Sequence, residues 1–223
     1  MIAATRRLGV LGGTFDPIHV GHLDAAEAAR AALALDEILV LPAHDPPHRT
    51  IDPRASAFHR FALLALALEG RDAYRLSDRE LHRSGPSYTA LTLQELHASG
   101  WSPSQIFFIL GADAFAEIAT WYDYPAILDA SHFAVIARPD TTFDAALKQT
   151  PGLAERVCTP AAGSMETPSI FLIEARTSAV SSSEIRARLL AGRSIDRLVP
   201  PAVARYIQLH QLYAAANQLH GQD

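Results

Sequence analysis

The chain has 223 residues, 49% of them hydrophobic and 19% charged, which is the composition of an ordinary globular protein. Its net charge of −5 argues against a general nucleic-acid binder, which needs a basic surface, but permits a small anionic substrate held by local positive groups. With Cys158 as the one cysteine, an internal disulfide framework and a thiolate metal cluster are both excluded.

In chain order, Arg7–Leu11 reads as a buried strand and Val20–Leu35 as an alanine-rich helix. Glu37–Leu41 is a second strand, followed by the proline-broken "PAHDPPHRTIDPR". Ala55–Leu68 is helical, with Phe58, Phe61, Leu64 and Leu68 on one face. "AYRLSDREL" is extended, and Gly85-Pro86 turns the chain into a helix for which Ser87 is the expected N-cap. Gln105–Leu110, His132–Ala137 and Ser169–Glu174 are further strands, and Ser182–Leu190 and Pro201–Tyr213 are helices. Residues 141–168 carry the weakest pattern and read as a surface excursion. Apolar strands separated by helices predict an α/β fold, a doubly wound parallel sheet formed by a single domain over residues 1–223. The start "MIAATRRLGV" lacks a secretory pattern, and the longest apolar run, Phe61–Leu68, is too short to span a bilayer. The expectation is a soluble, cytoplasmic protein with no membrane partner and no nucleic acid; the oligomeric state is left open.

The chemistry concentrates between the first strand and the first helix, in "GGTFDPIHVGH" (residues 12–22). The dinucleotide fingerprint needs a third glycine at the helix start, and the order Gly12-Gly13-Thr14-Phe15 does not supply it. Lys148, the one lysine, has no glycine-rich loop before it, so a Walker-type P-loop is excluded. A zinc site on His19 and His22 would need His44 or His48 as well, and Pro46 and Pro47 break any helix between those two. The phosphate-cradle reading is stronger. Gly12, Gly13 and Gly21 let backbone approach a ligand, helix-terminal amides attract anions, and the histidines donate to phosphate oxygens. Asp16-Pro17 reads as a rigid turn that aims them. Near the other end, "VSSSEIRARL" repeats the theme: Ser181, Ser182 and Ser183 lead into a helix bearing Arg186, and one serine cap does not explain all three.

"GGTFDPIHVGH" and "SSSEIR" together resemble the signature pair of the nucleotidylyltransferase superfamily, whose motifs are of HxGH and SSTxIR type. With His19 in place, the chain is most similar to the nicotinate-nucleotide adenylyltransferases; the phosphopantetheine enzymes usually carry threonine there. "PAHDPPHR" (42–49), "SGPSYTALTL" (84–93), "GADAFAEIATWYDY" (111–124), "ARP" (137–139) and "VPPAVARYI" (199–207) continue the resemblance in order, while Ser183 replaces the usual threonine and Asp140 stands where the family often has glycine.

The resemblance implies a Rossmann-like fold with C-terminal helices, and transfer of the adenylyl group of ATP to nicotinate mononucleotide. The products are nicotinate adenine dinucleotide and pyrophosphate, in NAD biosynthesis. It implies His19, His22 and Arg186 as catalytic groups. Gly12, Gly13, Thr14, Phe15, Gly111, Asp113, Ser181 and Ser182 join them in binding ATP. Thr89, Trp121, Tyr122, His48 and Arg49 bind the mononucleotide, with Trp121 stacked on the pyridine ring. Mg²⁺ accompanies ATP and is held mainly by phosphate oxygens, with no dedicated metal-binding residue in the protein. Alternatives are nicotinamide mononucleotide or another small phosphate acceptor, a non-catalytic nucleotide-binding regulator, and a zinc hydrolase.

Overall fold

Apolar runs without a polar face need cover on both sides, and the alternation of strands and helices supplies it. The computed structural model describes residues 6–46, 53–137, 152–159 and 165–214. In chain order these form β1 (Leu8–Gly13), α1 (Val20–Leu33), β2 (Glu37–Pro42), α2 (Ala57–Leu68), β3 (Tyr74–Leu76) and α3 (Thr89–Ala98). Then come β4 (Ile106–Gly111), α4 (Ala112–Ala116), β5 (His132–Ala137), β6 (Val157–Cys158), β7 (Ile170–Glu174), α5 (Ser182–Leu190) and α6 (Pro201–Leu209).

The seven strands form one parallel sheet in the order β3-β2-β1-β4-β5-β7-β6. This is the expected doubly wound α/β fold. Successive side chains of a strand point to opposite faces, so β4 feeds two cores. Phe107 and Ile109 pack with Leu23, Leu33 and Leu64 of α1 and α2. Phe108 and Leu110 pack with Leu93, Phe115 and Phe133 on the other face. The strand order reverses between β1 and β4, and in such sheets ligands collect at the carboxyl ends of the strands beside that reversal. Gly12–Gly13 and Gly111 end these two strands. Among the described residues no helix is long and apolar enough to cross a membrane.

Several sequence-based expectations need correction. Of "AYRLSDREL" only Tyr74–Leu76 is a strand, and Arg79–His82 form a helical turn. Within 141–168, Val157–Cys158 form a short edge strand on Ile170–Phe171; two residues carry too little periodicity to announce themselves. Ser87 does not cap α3, because Tyr88 occupies the N-cap position and the Ser87 hydroxyl accepts the His44 N–H at 2.9 Å. The buried face of α2 is Arg60, Leu63, Leu64, Ala67 and Leu68, while Phe58 is 87% exposed. The run Phe61–Leu68 is apolar all round, so its period does not choose a face; Arg60 does, by turning inward to loop carbonyls described below.

His132, at the start of β5, is fully buried and stacks on Phe107. The Ser169 N–H donates to its Nδ1 at 3.0 Å, which places the proton on Nε2, facing the Ser104 carbonyl at 3.2 Å. Burial holds its pKa below the ordinary value of 6.5. As pH falls below that value the unfolded chain takes up a proton that the folded chain refuses, so the neutral imidazole's contribution to stability is lost toward acid. Urea unfolding at pH 6.5 and 5.5 is expected to show the wild type losing up to about 1 kcal/mol more than His132→Gln over that interval.

Candidate active site

The loop after β1 is shaped by side chains that turn back beneath it. Phe15 is buried with φ of 51°, in the left-handed region that costs a non-glycine residue about 1–2 kcal/mol. Its ring lies only 3.1 Å from where a Cβ on residue 13 would stand, so any side chain there would have to push the ring aside. Asp16 follows, 1% exposed, and a buried carboxylate requires partners. The Arg54 and Ala55 N–H groups donate to it at 2.9 and 3.1 Å, and the Tyr213 hydroxyl donates at 2.8 Å. Burial and the Asp16 charge push the Tyr213 pKa well above its ordinary value, so the hydroxyl keeps its proton as donor. Buried Arg60 completes the support. One of its Nη atoms donates to the Thr14 and Ala43 carbonyls, at 2.8 and 2.7 Å, and its Nε donates to the Ala55 carbonyl at 3.3 Å.

On this base α1 begins with His19 at its N-cap. The rings of His19 and His22 stack at 3.6 Å, and Phe15 meets His22 edge-on at 5.1 Å. The His19 N–H donates to His22 Nδ1 at 3.3 Å, which leaves Nε2 of His22 to carry the proton as a donor. Gly21 fits between: an added Cβ would sit 3.0 Å from the Ser178 carbonyl and 3.2 Å from the His19 ring. The first amide of α1 is not offered to an anion, because the Val20 N–H donates to the Leu198 carbonyl at 3.0 Å.

The start of α5 lies against the same turn. Ser181 caps the helix by accepting the Glu184 N–H at 3.1 Å, and Ser182 donates to the Pro17 carbonyl at 2.9 Å. Arg186 donates to the Asp16 carbonyl at 2.6 Å and to the Ser183 hydroxyl at 3.1 Å. Each of the three serines therefore has an internal partner, and the two motifs, far apart in sequence, are joined by direct hydrogen bonds.

Two cavities flank the carboxyl ends of β1 and β4 and share Gly12, Leu110 and Ala114. One, of about 270 Å³, is lined by His19, Gly21, His22, Gly111, Asp113 and Thr177, among others. The other, of about 280 Å³, is lined by Gly13, Thr14, Glu80, Tyr88, Thr89, Trp121 and Tyr122, among others. Trp121 is half-buried, edge-on to Phe108 with centroids 6.0 Å apart, so it is part wall and part core. Phe15 supports the histidines from below and lines neither cavity, and Ser181, Ser182 and Arg186 line neither. His48 and Arg49 lie outside the described residues, as do Arg138 and Pro139. Among the described residues no three of His, Cys, Asp and Glu come together as a metal site.

The model of the cytidylyltransferase-like family matches residues 10–188. A probable nicotinate-nucleotide adenylyltransferase of Pseudomonas aeruginosa (strain UCBPP-PA14) is 40% identical over 211 residues, 94% of this chain and 98% of that protein. One from Roseiflexus sp. (strain RS-1) is 39% identical over 208 residues, 92% of this chain and 97% of its own. The chain belongs to the nicotinate-nucleotide adenylyltransferase family. The fold likeness extends further. Plasmodium falciparum nicotinic acid mononucleotide adenylyltransferase complexed with NaAD superposes with a TM-score of 0.68 at 20% identity, covering 93% of this chain and 97% of that one.

For an adenylyltransferase of this family, the residues that sequence reasoning missed are those beneath and beside the motifs. Arg60 and Tyr213 support the turn, Asp24 accepts the Ser178 N–H and hydroxyl at 2.9 and 2.6 Å, and Glu80 and Tyr88 line a cavity. A charged residue at the edge of an apolar run was the one available signal, and Arg60, just before Phe61–Leu68, carries it. Replacing Asp16 tests the support directly. Asp16→Asn turns an amide toward groups that all donate, and should cost about 3 kcal/mol in urea unfolding.

Proposed function

We propose that the chain transfers the adenylyl group of ATP to nicotinate mononucleotide, releasing pyrophosphate and forming nicotinate adenine dinucleotide for NAD biosynthesis. The observation that carries this is the pair of cavities meeting at Gly12: one holds the stacked histidines, the other has aromatic walls. Such a site holds two nucleotides with their phosphates at the shared edge. The similarly folded Plasmodium enzyme is itself complexed with NaAD.

The mononucleotide phosphate attacks the α-phosphorus of ATP in line. It is already an anion at neutral pH, so no general base is required. The protein has to align two anions and stabilise the charge that builds on the attacked phosphate and on the leaving pyrophosphate. His22 donates from Nε2 at that point, with His19 beside it. The family resemblance assigns Arg186, Ser181 and Ser182 to the β- and γ-phosphates, which requires them to give up the internal partners they hold here, and Asp113 and Gly111 to the nucleotide. In the second cavity Trp121 stacks on the pyridine ring, and Thr89 with the amides near Tyr122 receives its carboxylate; His48 and Arg49 act on the phosphate. Mg²⁺ accompanying ATP would be held mainly by the substrate phosphate oxygens, with Asp113 the one carboxylate among the described residues lining the histidine cavity, and would supply positive charge to those oxygens. The reaction takes place in the cytoplasm.

Incubation with ATP, Mg²⁺ and either nicotinate or nicotinamide mononucleotide, with pyrophosphate as the readout, tests the assignment. Release is expected with both and faster with the acid. No release with either would overturn the assignment, and equal rates would overturn the acid preference alone. His22→Ala is expected to lower turnover by about two to three orders of magnitude, at a stability cost of about 1 kcal/mol for the lost N-cap contact. Near-normal turnover in the folded variant would contradict the role given to His22.

A further inference from the structure

The aromatic-walled cavity contains a group that phosphate transfer does not use. Glu80, on the turn Arg79–His82, is 6% exposed and is the one carboxylate among the described residues lining that cavity. Its position is fixed. The Thr92 hydroxyl donates to Oε1 at 2.6 Å, and Ser87 adds a second side-chain hydrogen bond. Ser87 is itself held by the His44 N–H. The cation whose field reaches Glu80 is Arg83, but its guanidinium is committed to Glu95 at 2.6 Å and touches Thr92 at 3.4 Å. Burial pushes the Glu80 carboxyl above its ordinary pKa, the response of an anion whose positive partner is not in direct contact.

The walls around this carboxylate are flat and electron-rich. Tyr88 and Tyr122 stack at 4.6 Å with an interplanar angle of 21°, and Trp121 stands beside them. Aromatic faces with one buried anion complement a flat cation whose charge has no hydrogen to donate, such as a quaternary nitrogen. The pyridine ring of an oxidised pyridine mononucleotide is such a cation, because its nitrogen bears the ribose. A neutral ring of the same size would leave the carboxylate desolvated and uncompensated, which is a penalty against binding.

The geometry points to Glu80 as a specificity-determining residue that reads the positive charge of the pyridinium ring, selecting oxidised pyridine mononucleotides over neutral-ring ones. This deepens the proposed function and rests on its placing of the mononucleotide in this cavity.

The test uses the full chain and two ligands: nicotinate mononucleotide and its 1,4-dihydro form, whose ring is neutral. Calorimetric dissociation constants are compared for wild type, Glu80→Gln and Glu80→Asp. Glu80→Gln keeps an oxygen for Thr92 but loses the charge. It should weaken the oxidised ligand about tenfold and the reduced ligand less than twofold. Glu80→Asp should keep most of the preference. Equal loss of both ligands in Glu80→Gln would assign Glu80 a structural role and overturn the inference, as would no loss of either. Failure of the underlying assignment reads out separately, as a wild type that binds nicotinate mononucleotide in neither form and releases no pyrophosphate.

Discussion

A single buried carboxylate organises this molecule's working end. Asp16 is out of water and needs donors around it, and the donors come from distant parts of the chain: the approach to α2, and the segment after α6. Satisfying that charge draws these segments to the loop after β1. Arg60 performs the opposite task from below, satisfying carbonyls of three segments with one guanidinium. With Arg186 hydrogen-bonded to the Asp16 carbonyl, two cations and one anion lock the turn from which His19 and His22 project. The sheet places this turn at its own reversal point, and the charge cluster makes it rigid there.

Rigidity has a chemical purpose in a reaction between two anions. No proton needs to be removed from the nucleophile, so catalysis depends on donors that already point to where charge will develop. In the role proposed for His22, a tautomer set by the His19 amide on the other nitrogen means that nothing is lost to reorientation when charge appears. The residues that both cavities share, Gly12, Leu110 and Ala114, carry no charge, so the chain's net charge of −5 is not concentrated at the shared edge. Each cavity has one carboxylate among its described lining residues: Asp113 in one and Glu80 in the other.

Much of this was legible in the residues. The strands β1, β2, β4, β5 and β7 declare themselves as continuous apolar runs, and the parallel sheet with its ligand edge follows from their alternation with helices. The two signature motifs pointed to phosphate chemistry, and the structure brings them into contact. What stayed hidden depends on contacts between segments far apart in sequence. Glu80 and Tyr213 sit in polar-looking stretches, and nothing near them in sequence announces that Thr92 or Asp16 will bury them. Ser87 looked like a helix cap because caps are local, whereas its actual partner is the backbone of the loop at His44. Phe58 and Arg60 exchange the places their chemistry suggests because three unsatisfied carbonyls outweigh one exposed phenyl ring.

The central claim is that the two cavities are halves of one site meeting at Gly12. A crystal structure with nicotinate adenine dinucleotide bound tests it most directly. The account places the pyridine ring between Glu80 and Trp121, the adenosine half beside Asp113 and His22, and the bridging phosphates over Gly12–Gly13. A dinucleotide bound in the reverse sense, or lying outside either cavity, would contradict it.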